Sequence, residues 1–112
     1  MRGSPVSGGY AGAKATVRFL AEYAADESDR AGLDIHVTTV LPGLTPATEL
    51  GKPAVTAYAR RAGVTEAQFV AQMGEPLTPN VVGESVVRLL TDPDLKKHRA
   101  FTLLAAGLKP LD

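Results

Sequence analysis

The sequence predicts an α/β fold with two strands and about four helices, and three observations lead to this prediction. Apolar residues three and four positions apart predict a long first helix, and a segment dense in β-branched residues then predicts a strand. Helical segments follow and lead to a second short apolar run. A strand, a helical crossover and a second strand form a parallel unit. No linker or repeat divides the 112 residues, so we expect one domain.

The first helix is expected at residues 10–32, after a loop rich in glycine and serine at residues 1–9. Its apolar spacing is set by Val17, Leu20, Ala21 and Ala24. Gly32 is a typical C-terminal stop. The strand is expected at residues 33–41 and ends at a Pro-Gly turn. Apolar residues on both alternating faces favour a strand that is covered on two sides.

Three further helices are expected, at residues 53–62, 65–72 and 78–90. Each begins with residues suited to a helix N-terminus: Pro53, Thr65 with Gln68 three positions later, and Thr78 before Pro79. The apolar run at residues 101–106 predicts the second strand, which stops at Gly107.

Charge and composition exclude several classes of function. Twelve basic residues balance twelve acidic ones, which argues against a nucleic-acid partner or an anionic membrane partner. The absence of cysteine removes disulfides, thiolate nucleophiles and Cys-ligated metals, and two histidines leave little for another metal site. No apolar stretch approaches the ~20 residues of a membrane span, and no secretory signal is visible, so we expect a cytoplasmic protein without a metal.

Tyr10 and Lys14 place a phenol and an ammonium four residues apart, and therefore on one face of the predicted helix. A free tyrosine has a pKa near ~10, and a nearby cation favours the phenolate, so such a pair supports proton transfer. The spacing alone also fits a solvated lysine beside a half-buried tyrosine, and without further context that alternative is the stronger one.

The succession of segments provides that context, because it resembles the C-terminal half of the short-chain dehydrogenase/reductase family. Residues 7–15 are similar to the active-site segment of the family, and residues 33–43 to its next strand and the Pro-Gly turn beside the nicotinamide. Residues 78–90 and 101–107 resemble its last helix and strand. The resemblance covers essentially the whole chain and implies a partial Rossmann-like, doubly wound parallel sheet. Residues 44–77 would be the substrate lid.

The resemblance implies that Tyr10 is the general acid/base and that Lys14 binds the nicotinamide ribose. NAD or NADP would be the cofactor and a small alcohol or carbonyl compound the substrate. Family members often carry a threonine five residues after the proline of the Pro-Gly turn, and Ala47 stands at that position here. The implied cofactor-binding residues are Tyr10, Lys14, Pro42, Gly43, Leu44 and Thr45.

The chain also departs from the family pattern. No glycine-rich phosphate loop follows a strand, and the catalytic serine and asparagine of the family would precede Met1. We therefore expect a C-terminal portion that is inactive alone. The resemblance implies a homo-oligomer in which Phe19 and Tyr23 of the first helix belong to the subunit interface. Two alternatives stay open: a non-catalytic remnant that self-associates through the first helix and the last strand, and a small helical binding domain. The sequence leaves the substrate and the choice between NAD and NADP undetermined.

Overall fold

The computed structural model describes residues 7–111, and most of the loop expected at residues 1–9 lies outside that range. Four α-helices, one short 3-10 helix and three strands make up the described chain. In order they are α1 (Gly8–Ala31), β1 (Thr39–Pro42), α2 (Gly51–Ala62), α3 (Glu66–Gln72), α4 (Pro79–Thr91), the 3-10 helix (Leu95–Lys97), β2 (Ala100–Leu104) and β3 (Gly107–Pro110). The predicted α/β class is confirmed.

The three strands form one mixed sheet in the order β1-β2-β3. β1 and β2 are parallel, with Val40 opposite Phe101, and α2 to α4 lie between them in the sequence. This parallel pair was predicted, and it argues against the small helical domain. β3 pairs antiparallel with β2, with Leu108 opposite Leu103. The prediction of only two strands was therefore wrong. The sequence Gly-Leu-Lys-Pro has no β-branched residue, and pairing with β2 sets its conformation.

The first strand is shorter than the expected residues 33–41, because it begins only at Thr39. Residues 33–38 are irregular, and Asp34 has a φ of +54°. The Ile35 N–H donates to the Ser28 hydroxyl (3.0 Å), so this segment bonds back to α1. Pairing starts where the partner strand starts, since Thr39 lies opposite Ala100.

Two helix starts also differ from the prediction. α1 begins at Gly8 and not at residue 10, so the Gly8-Gly9 pair belongs to the helix and not to the expected loop. α2 begins at Gly51 and places Pro53 third in the helix. Proline is tolerated there because the first N–H groups of a helix have no partner within it. The end of α1 is as predicted, with Gly32 left-handed at a φ of 65°.

The predicted N-caps of α3 and α4 are confirmed. The Gln68 N–H donates to the Thr65 hydroxyl (3.1 Å), and the Thr65 N–H donates to Gln68 Oε1 (2.9 Å), which completes a capping box. The Val81 N–H donates to the Thr78 hydroxyl at 3.4 Å. Both caps are local hydrogen bonds, which is why spacing alone predicts them.

The hydrophobic core is centred on β2, the middle strand. Phe101 and Leu103 are 0% and 1% exposed and share one face of the strand. The His98 ring packs edge-on against Phe101, with centroids 5.8 Å apart. The other buried apolar residues are Ala25, Val55, Ala59, Leu77 and Ala100. α1 therefore contributes little to the core despite its 24 residues.

Candidate functional site

The first part of the candidate site lies on the N-terminal turns of α1. The Lys14 ammonium lies over the ring of Tyr10, with its Nζ 5.5 Å from the ring centroid. This is within the range of a cation–π contact, and it shows that the two side chains share one side of the helix. Tyr10 is 62% exposed, and Lys14 is also exposed. A ligand in solution can therefore reach both functional groups.

The second part is the bend that follows β1. Pro42 ends the strand, and the Gly43 N–H donates to the carbonyl of Leu103 (2.9 Å), which extends the pairing to β2 by one residue. A Cβ at Gly43 would lie 2.8 Å from Cδ2 of Leu104. This atom is the end of an exposed side chain, so a residue larger than glycine at position 43 would displace the Leu104 side chain and not the backbone of β2.

A hydroxyl network closes the loop after the bend. The Thr48 hydroxyl donates to the carbonyl of Thr45 (2.9 Å), and the two threonine hydroxyls lie 2.9 Å apart. Because the hydroxyl proton of Thr48 is donated to this carbonyl, the hydroxyl of Thr45 is the donor to the hydroxyl oxygen of Thr48. The Gly51 N–H also donates to the Thr48 hydroxyl (3.0 Å), which joins the loop to the start of α2. Ala47, at the position of the family's threonine, is exposed.

Two shallow grooves of about 500 Å³ each lie in the segment that the resemblance assigns to the substrate lid. Neither is lined by Tyr10, Lys14 or a residue of the bend. The first has small apolar walls with one cation and one anion: Pro46, Lys52, Val55, Glu66, Ala67, Val70 and Ala71. The second is lined by Pro53, Thr56, Ala57, Arg60 and Arg61.

The structure therefore brings the predicted residues together as two groups, Tyr10 with Lys14 and residues 42–45 as one bend. It also shows contacts that the sequence did not reveal. Arg99 donates to Asp26 and to Asp29, 73 and 70 positions away in the chain. No spacing rule connects residues so far apart, although the acidic run at the end of the first helix was visible.

Two classes of site find no support in residues 7–111. This part of the chain contains no group of three or more metal-ligating side chains placed to hold an ion. None of its helices combines the length and apolar composition that crossing a bilayer requires.

No protein-family model, no curated protein and no solved structure matches this chain. Any functional assignment therefore depends on the geometry of the chain and on the resemblance of its segments.

Proposed function

We propose that this chain provides the acid/base pair and the nicotinamide-side loop of an NAD(P)-dependent oxidoreductase of the short-chain dehydrogenase/reductase type. The reaction would interconvert a small alcohol and a carbonyl compound. The observation that carries the proposal is the position of Lys14 beside Tyr10, with Nζ 5.5 Å from the ring centroid. Two further observations support it: β1 and β2 are parallel, and β1 ends in a Pro-Gly bend. The partial Rossmann-like sheet belongs to the same proposal.

Tyr10 acts as the general acid/base in this proposal. Its hydroxyl exchanges a proton with the oxygen of the substrate. Lys14 also donates hydrogen bonds to the hydroxyls of the nicotinamide ribose. Hydride transfer is the chemistry that a bound nicotinamide supplies.

The residues present fit one end of the cofactor better than the other. A phenol, an ammonium and the Thr45 hydroxyl are suitable partners for ribose hydroxyls and a carboxamide. Within residues 7–111, however, only β1 leads into a helix, and its connection to α2 (residues 43–50) has no glycine-rich turn for the pyrophosphate. The isolated chain should therefore bind the nicotinamide half alone, and weakly. We expect no NAD(P)H oxidation by it with any panel of ketones.

Reduced nicotinamide mononucleotide tests this assignment, because it lacks the half of the cofactor that the described residues do not accommodate. In an NMR titration of the isolated chain, the amides of Tyr10, Lys14 and residues 43–45 should shift together. Lys14→Met should weaken binding about tenfold, the equivalent of about 1.4 kcal/mol and of one lost charge-assisted hydrogen bond.

Lys109→Met is the matched control, since Lys109 is an exposed lysine on β3. Its affinity for the mononucleotide should equal that of the wild type. Equal affinity in Lys14→Met, or shifts confined to only one of the two segments, would contradict the proposal.

A second candidate function is a non-catalytic oligomerising remnant, and the surface of α1 favours it. Val17, Leu20 and Tyr23 follow one another at spacings of three, and each is more than half exposed. Phe19, beside this row, is 66% exposed. Large apolar side chains grouped on one helix mark interaction surfaces. A chain that stays monomeric at high concentration would contradict this candidate.

A further inference from the structure

The attachment of α1 to the rest of the chain lies in its C-terminal half. Ala25 and Ser28 are its buried residues. The Ser28 hydroxyl accepts the Ile35 N–H from the segment that follows the helix. Residues 12–17, near the other end, are all exposed. The helix that carries Tyr10 is therefore supported mainly at the end far from Tyr10.

Arg99 provides the long-range tie at the supported end. Its guanidinium bonds Asp26 (2.5 Å) and Asp29 (2.7 Å), which lie three residues apart on α1. We call these three residues the Arg99 clamp. The hydrogen bond to Asp26 raises the pKa of Arg99 above its ordinary value. Arginine is charged at neutral pH in any case. The ion pairs of Arg99 are open to screening by salt because all three side chains are at least 40% exposed.

Arg99 also contacts the strand that leads to the bend. It stands directly before β2, and its carbonyl accepts the Thr39 N–H at the start of β1 (2.8 Å). One residue thus holds β1 through its backbone and α1 through its side chain. These are the two elements on which the candidate site is built.

The length of the helix amplifies any change at the clamp. Asp26 lies sixteen residues from Tyr10, which is about 24 Å along an α-helix. A rotation of about 10° at the clamp would move Tyr10 by about 4 Å over that length. A misplacement of about 1 Å at a reacting group can reduce a rate by a factor of about 100.

We propose that Arg99 is a positioning residue that fixes the angle between α1 and the sheet. It thereby sets the position of Tyr10 and Lys14 relative to the Pro42-Gly43 bend. The role in positioning an acid/base pair rests on the proposed function, whereas the fixed angle does not.

Distance measurement between spin labels tests the proposal without any ligand. The chain contains no cysteine, so Ala13→Cys and Lys109→Cys place one label on α1 and one on β3 without side reactions. In the wild-type background we expect a narrow distance distribution. Arg99→Gln should shift its mean by several ångströms or broaden it to a similar extent, and 1 M NaCl should move the wild type in the same direction.

Three further variants make the test specific. Arg30→Gln removes an ion pair within α1, with Glu27, and should leave the distribution unchanged. Arg99→Lys should restore it only in part, because an ammonium lacks the fixed fork of a guanidinium. The double variant Asp26→Asn/Asp29→Asn removes the clamp from the side of α1 and should give the same distance distribution as Arg99→Gln. Agreement between the two variants would show that the change comes from loss of the clamp and not from misfolding of one variant.

Unchanged distributions in Arg99→Gln and in the double variant would overturn the positioning role. Failure of the proposed function would instead appear in the mononucleotide titration and would leave these distances as expected. The two outcomes are therefore distinguishable.

Discussion

Tyr10 and Lys14 show how much chemistry a four-residue spacing can encode. Helix geometry alone places i and i+4 side chains on one face, and the structure confirms that the ammonium lies over the phenol ring. The proton-transfer role follows from residue type and remains a proposal. The loop between the bend and α2 also depends on a single residue, because a side chain at Gly51 would meet the backbone of Thr45.

Gly51→Ala should destabilise the chain. A Cβ at Gly51 would overlap the backbone carbonyl of Thr45, and a backbone group cannot move aside as a flexible side chain can. We expect a loss of about 2 to 3 kcal/mol in the free energy of unfolding, measured with urea. Gly12→Ala is the control, because Gly12 lies in α1 with open space around it. It should stabilise the chain by about 0.5 to 1 kcal/mol, and equal stabilities for the two variants would disprove the overlap.

At the scale of elements, predictions from the sequence succeed where the determinant is local. The caps at Thr65 and Thr78 and the stop at Gly32 depend on residues within one turn, and all three are confirmed. Strand limits depend on partners instead. β1 begins at Thr39 because β2 begins opposite it, and β3 forms because β2 offers a free edge. The residues of β1 and β3 do not by themselves show that β2 is the partner of each.

Thr65→Ala should loosen α3 selectively. A helix of seven residues depends strongly on its cap, because helix nucleation is costly. Loss of the cap costs about 1 kcal/mol, so amide protection within α3 should fall about fivefold in hydrogen exchange. Thr16→Ala is the control, since that hydroxyl only bonds the Gly12 carbonyl within α1. Protection that falls equally across all helices would show that the cap has no local role.

At the scale of the whole molecule, the chain has a small core and a largely exposed first helix. The core surrounds β2, while α1 presents a row of large apolar side chains that nothing in the described chain covers. The sequence predicted the helix and its apolar spacing, but it could not show which face the rest of the chain would leave exposed. The same reason explains why the Arg99 clamp was not predicted, since it joins residues about 70 positions apart.

Self-association through this surface is a direct consequence of the second candidate function. Sedimentation equilibrium should show dimers or larger species of the wild type, and Leu20→Glu should return the chain to a monomer by placing a charge in the apolar row. Leu50→Glu makes the same substitution at an exposed leucine outside α1 and should leave the association unchanged. A monomeric wild type would contradict self-association and would not affect the oxidoreductase proposal.

The central claim is that the Tyr10–Lys14 pair and the Pro42-Gly43 bend serve one nicotinamide. The most direct test is an intermolecular NOE experiment on the isolated chain with reduced nicotinamide mononucleotide. We predict contacts from the protons at ring carbon 4 both to the Tyr10 ring and to the amides of Gly43 and Leu44, in the same complex. Contacts to only one of these groups, or to neither, would contradict the claim.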